Sequence, residues 1–124
     1  MNSQFTKIIR IMLGLILIAF GTNKLYAFIP LPQPSPEAAS FMESLANTGY
    51  VITIIAIAEI MIGIFLLIKV WVPFVLLLLV PLSINILLFH LFMDLPAIAT
   101  ALVVVIMNGI LLYKHRQKYK PLFI

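Results

Sequence analysis

Val51-Ile52-Thr53-Ile54-Ile55-Ala56-Ile57-Ala58-Glu59-Ile60-Met61-Ile62-Gly63-Ile64-Phe65-Leu66-Leu67-Ile68 is an unbroken apolar run with one charge, Glu59, at its centre. At the helical rise of about 1.5 Å per residue it nearly spans a hydrocarbon core about 30 Å thick. A carboxylate at that depth costs at least about 2.5 kcal/mol on insertion scales, so such residues face a bundle interior and carry function. Helical spacing puts Thr53, Ala56, Glu59 and Gly63 on one face. Glu59 is therefore expected on the small-residue side, where a neighbouring helix packs.

Outward from this run the chain repeats the pattern. Apolar stretches cover about 8–28, 50–68, 72–92 and 96–113, each near the length of a membrane span. Of 124 residues, 64% are apolar and 10% charged, too few polar groups to cover a soluble domain. The expectation is all-α: one integral membrane domain over residues 1–124, folded as an antiparallel four-helix bundle. A short amphipathic helix is expected in the outer loop, 29–49, and a cytoplasmic tail over 114–124.

Charge placement sets the expected orientation. Lys7 and Arg10 precede the first span, Lys69 separates the second and third, and Lys114, Arg116, Lys118 and Lys120 follow the fourth. In an up-down-up-down topology these seven of the eight basic residues share one side, which the positive-inside rule makes cytoplasmic, with both termini. The membrane expected is a bacterial cytoplasmic membrane. The net charge of +4 thus reads as a topology signal, with attraction to anionic lipid as a second role for the tail. No nucleic-acid recognition motif accompanies it. Lys7 and Arg10 also suit a signal n-region, but Leu25-Tyr26-Ala27 is a poor cleavage site, so a retained span is expected. With no cysteine, thiol exchange and iron–sulfur ligation within the chain are excluded.

The connections and remaining spans carry local signals. Gly14 and Gly21 share a face of the first span, and small residues there let helix backbones approach closely. Lys24 follows one turn later and either snorkels to the interface or turns inward to Glu59. After Pro30 to Pro36, Ser35 reads as an N-cap, Pro36 as the first helical residue and Gly49 as a stop. Phe41 and Leu45, one turn apart, make that segment a connector or a lid over the outer mouth. In the third span Pro81 removes a helical hydrogen bond, Asn85 follows one turn later, and His90 and Asp94 are spaced to pair. Ala97, Ala101 and Asn108 form a close-packing face in the fourth.

Lys24, Glu59, Asn85 and His90 are the candidates for ligand binding or proton exchange, with Phe41 and Leu45 as lid candidates. Asn85 and Asn108 are most simply read as interhelical hydrogen-bond glue, worth about 0.6 kcal/mol each. Buried alone, Glu59 is expected to stay protonated, and paired with Lys24 or His90 to stay ionised; either state suits proton exchange or hydrogen bonding to a polar head such as a quinone. No metal-ligand spacing is present, and His115 lies in the tail, so bis-histidine haem ligation is unavailable. No phosphate loop, nucleophile elbow or internal repeat is found. Depth matching brings Lys24, Glu59 and the Asn85/His90 face to one cavity under Phe41.

Gly21-Thr22-Asn23-Lys24-Leu25, Glu59 with Gly63, Trp71-Val72-Pro73 and Asn85-Ile86-Leu87-Leu88-Phe89-His90 together resemble the DoxX-like family of small four-helix membrane proteins. The resemblance implies a non-autonomous subunit of a membrane redox system near the quinone pool, accessory to a quinone-linked oxidoreductase. With no electron carrier in the chain, an oxidoreductase partner would supply a flavin, haem or metal, and quinone is the cofactor expected. A binding or assembly protein for other membrane proteins, or a small proton-coupled carrier, are the alternatives; the lack of a repeat weakens the last.

Overall fold

The computed structural model describes residues 3–124. Its elements are α1 (Ser3–Leu25), α2 (Pro36–Asn47), α3 (Val51–Ile68), α4 (Val72–Met93), a 3₁₀ turn (Leu95–Ala97), α5 (Ile98–Lys114), α6 (Arg116–Tyr119) and a final 3₁₀ turn (Lys120–Phe123). No strand occurs among the described residues. Four helices, α1, α3, α4 and α5 with its preceding turn, are long and apolar enough to cross a membrane. Their outward faces expose large apolar side chains such as Leu15, Ile57, Leu78 and Ile106, while the carboxylate of Glu59 is buried. That inversion of the water-soluble pattern fits a lipid surround.

The first helix differs from its expected limits. It runs Ser3–Leu25 rather than 8–28, and its C-terminal end comes early because Asn23 turns the chain out: its Oδ1 accepts from the backbone N–H of Phe28 and of Ile29, both at 2.8 Å. The amide offers the backbone a local alternative to continued helix. Downstream, α2 begins as expected. Ser35 Oγ accepts from Ala38 N at 3.2 Å, Pro36 opens the helix and Gly49 ends it at φ 84°. The tail, which carried no structural expectation, folds back as α6, with Tyr119 Oη donating to Pro73 O at 2.7 Å.

α1 packs chiefly on α3, and α4 chiefly on α5. Glycine makes the first seam. A Cβ on Gly14 would lie 2.9 Å from Gly63 O, one on Gly63 2.7 Å from Gly14 O, and one on Gly21 2.9 Å from Ala56 O. Arg10 meets α3 at Leu66, Gly14 at Gly63 and Gly21 at Ala56, so the two helices run past each other in opposite directions. Leu13, Leu17, Leu66, Leu76, Leu79 and Leu111 fill the core between the pairs. Asn108 joins α5 to α4, donating to Leu76 O and accepting from Ser83 Oγ, each at 3.2 Å. It is the interhelical glue its spacing implied.

Candidate functional site

Glu59 is 1% exposed, on a face with Ala56, Ile62, Gly63 and Leu66. Thr53, placed on the same face by spacing, is exposed. Gly21 meets α3 at Ala56, and α1 ends one turn later, so the seam stops before Thr53. Lys24 turns inward rather than away. Its Nζ lies 2.9 Å from Glu59 Oε1 and donates to Oε2 at 3.2 Å.

The pair is asymmetric. The side chain of Lys24 is 27% exposed and that of Glu59 only 2%. The lysine Nζ lies between the two carboxylate oxygens, closer to Oε1, with hydrogen-bond geometry met at Oε2. A buried carboxylate with acceptor capacity beyond one ammonium therefore sits beside an ammonium that reaches the surface and has more than one N–H to give. Chemically this is an adjacent donor and acceptor at the edge of a low-dielectric interior, suited to a polar ligand that offers a carbonyl and a hydroxyl or to exchange of a proton.

His90 belongs to a second cluster at the same end of the helices. Its Nδ1 lies 4.0 Å from Asp94 Oδ2, one turn on, as expected. Ser35 ties the start of α2 to this turn: its N–H donates to Asp94 Oδ1 at 3.4 Å and its hydroxyl to Met93 O. Phe41 leans on Phe89, ring centroids 5.8 Å apart, and Phe89 meets the His90 ring edge-on at 5.1 Å. The lid candidate Phe41, itself exposed, thus packs on Phe89, the neighbour of His90. The inward face of α2 is Ala38, wholly buried, with Met42 and Leu45 half-buried, so Ala38 and Met42 join the residues anticipated. No hydrogen bond or ion pair among the described residues joins His90 to Glu59.

Asn85 does not join either cluster. It is exposed, and its Nδ2 donates to Pro81 O at 2.8 Å on its own helix. The buried positions of α4 are Val72, Val75, Leu76, Leu79 and Ser83. Asn85, two residues past Ser83, is rotated by about 200° from that stripe. Its role as a member of one cavity with Lys24 and Glu59 is therefore not supported by its position. Ser83 is the inward polar residue, and because α4 is apolar on every side its spacing alone does not mark that face. No three His, Asp or Glu side chains come together to hold a metal among the described residues.

The family model described as DoxX matches residues 5–91. Lys24, Glu59, Asn85 and His90 all fall inside the match, and α5 lies beyond it. No curated protein and no solved structure matches the chain.

Proposed function

This chain belongs to the DoxX family, and from that premise we propose that it is a non-autonomous subunit of a membrane redox system that binds a quinone beside Lys24 and Glu59. One observation carries the reading. A buried carboxylate is ion-paired, at 2.9 Å, with a lysine that reaches the surface. In this arrangement Lys24 donates to a quinone carbonyl and Glu59 accepts from the quinol hydroxyl. The electrons come from a flavin, haem or metal on an oxidoreductase partner. The ordered pair fixes the head; the lipid-facing apolar flanks accommodate an isoprenoid tail.

The reading includes a topology. The four long helices form an antiparallel bundle in a bacterial cytoplasmic membrane, both termini are cytoplasmic, and α2 is an amphipathic segment on the outer rim. The absence of native cysteines makes this directly testable. A cysteine at Ser40 is expected to react with a membrane-impermeant thiol reagent from outside, and one at Gln117 only after permeabilisation. The reverse pattern overturns the orientation.

The competing reading is an assembly protein in which Lys24 and Glu59 only lock α1 to α3; the internal ion pair favours it. Purification of the full chain in mild detergent, with mass spectrometry of lipids and partners, separates the two. Co-purified quinone, lost in Glu59→Gln while the fold persists, supports the redox reading. A membrane-protein client without quinone overturns it.

A further inference from the structure

The opposite end of the helices holds cations that the Lys24–Glu59 site does not use. Two adjoining clefts of about 240 and 340 Å³ open there, and Arg10, Lys69 and Lys114 line both. His115 and Lys118 add to the first, Lys7 to the second. None of the four acidic residues lines either cleft: Glu37 and Glu43 lie on α2, Glu59 holds Lys24 and Asp94 faces His90.

The fold holds these cations in place. Arg10 donates to the terminal carbonyls of α3, Leu66 O and, at 3.4 Å, Leu67 O. Lys114 Nζ donates to the buried Thr6 Oγ1 at 2.6 Å. Lys69 is fixed in the left-handed region at φ 59° by the tight α3–α4 turn. The Tyr119–Pro73 bond folds the tail back against that turn, where His115 and Lys118 line the first cleft. Burial, and then the charges of Lys114, Lys118, Lys69 and Arg10, hold the His115 imidazole below its usual range. Cations gathered this closely without a carboxylate repel one another, and an anion between them relieves that repulsion. Trp71, Val72, Pro73 and Leu111 give the first cleft an apolar wall.

We propose that these clefts bind a phosphate ester, with Arg10, Lys69 and Lys114 as the shared cradle, and that the apolar wall fits it to the headgroup region of an anionic membrane lipid. Basic pockets between membrane helices take phosphate headgroups in this way, and guanidinium adds directed hydrogen bonds to phosphate oxygens. Arg116 and Lys120 line neither cleft, so the site is distinct from diffuse attraction by the tail.

Trp71, the single tryptophan, reports on the cleft directly. The full chain is placed in phosphatidylcholine nanodiscs containing a small fraction of phosphatidylglycerol with brominated acyl chains. Quenching of Trp71 above that expected for random mixing is the expected result. Lys69→Asn with Lys118→Gln, which spares the hydrogen bonds above and keeps a residue tolerant of φ > 0, is expected to reduce the enrichment roughly tenfold. Arg116→Gln with Lys120→Gln removes the same charge outside the clefts and is expected to leave it nearly intact. Release of quenching by millimolar glycerol phosphate would assign the clefts to a soluble phosphate ester; persistence assigns them to lipid. Random-mixing quenching in the unaltered chain, or equal loss in both double variants, overturns the proposal.

Discussion

Lys24 reaches Glu59 because Gly21, one turn earlier, lets α1 lie against the backbone of α3. A Cβ at Gly21 would stand 2.8 Å from Ile60 Cγ1, 2.9 Å from Ala56 O and 3.2 Å from Glu59 Cβ. The glycine and the lysine thus act together: one brings the helices to touching distance, and the other uses that distance to place an ammonium 2.9 Å from a buried carboxylate. The spacing Gly21-x-x-Lys24 is a packing device and a charge device in one turn of helix.

Filling that contact should separate the helices and weaken the pair. Gly21→Val and Gly63→Val are each expected to lower stability by about 1–3 kcal/mol through overpacking against backbone. Gly109 provides the contrast, since a Cβ there meets nothing within 4 Å. Gly109→Ala should be neutral or stabilising by up to about 1 kcal/mol, from helix propensity alone. Unfolding midpoints in a graded detergent series measure all three, and equal losses at Gly21 and Gly109 would contradict the close seam.

Tyr119 anchors the folded-back tail through Pro73 O. Tyr119→Phe should cost about 1 kcal/mol of docking and speed amide exchange across 115–123. Burial pushes the phenol up to about 12, so the neutral, hydrogen-bonded form is favoured. Its contribution is complete below the ordinary phenol value near 10 and declines as pH rises from there toward 12. An ultraviolet titration should show one of the four tyrosines ionising late in the native chain and should lose that component in Tyr119→Phe.

His115 gives a dependence of the opposite sense. Burial and its cationic neighbours hold its imidazole below the ordinary value of 6.5, so the folded chain prefers it neutral. Above about pH 6.5 the unfolded chain is neutral too, and nothing is lost. Below it the unfolded chain takes up the proton first, and stability falls with pH until the folded group also titrates. His115→Gln should flatten that acid slope. The difference between the two stability–pH curves isolates this residue from His90, and identical curves would rule the effect out.

Much of this was legible from residue spacing. The four apolar runs announce the four long helices, Ser35 and Pro36 mark the start of α2, and Gly14, Gly21 and Gly63 mark the seam. Asn85 and Ser83 show where such reasoning fails. Both are polar residues in an apolar helix, and only the rotation fixed by α4 packing on α5 turns Ser83 inward and Asn85 outward. Phe41 was legible as apolar and rim-facing, but its partner, Phe89, depends on Ser35 tying α2 to the α4–α5 turn. The cradle of Arg10, Lys69 and Lys114 joins three sequence-distant segments. In the sequence those charges read as topology, and only tertiary packing gathers them.

Removing one partner of the ion pair should have unequal consequences at its two ends. Lys24→Met leaves the Glu59 carboxylate, 2% exposed, without its cation, and breaking a buried pair in this way costs about 3–5 kcal/mol. Glu59→Gln leaves a lysine that is 27% exposed and can extend its ammonium toward the interface, so a smaller loss is expected. The double variant, Lys24→Met with Glu59→Gln, should recover most of the cost of the first change, since no buried charge remains. Unfolding midpoints for the four members of the cycle give the coupling. The same double variant decides what the pair is for. A chain that folds normally yet no longer retains quinone assigns Lys24 and Glu59 to ligand binding. One that folds normally and still holds the quinone shows that the pair only fastens α1 to α3, and the proposed binding site would have to be abandoned.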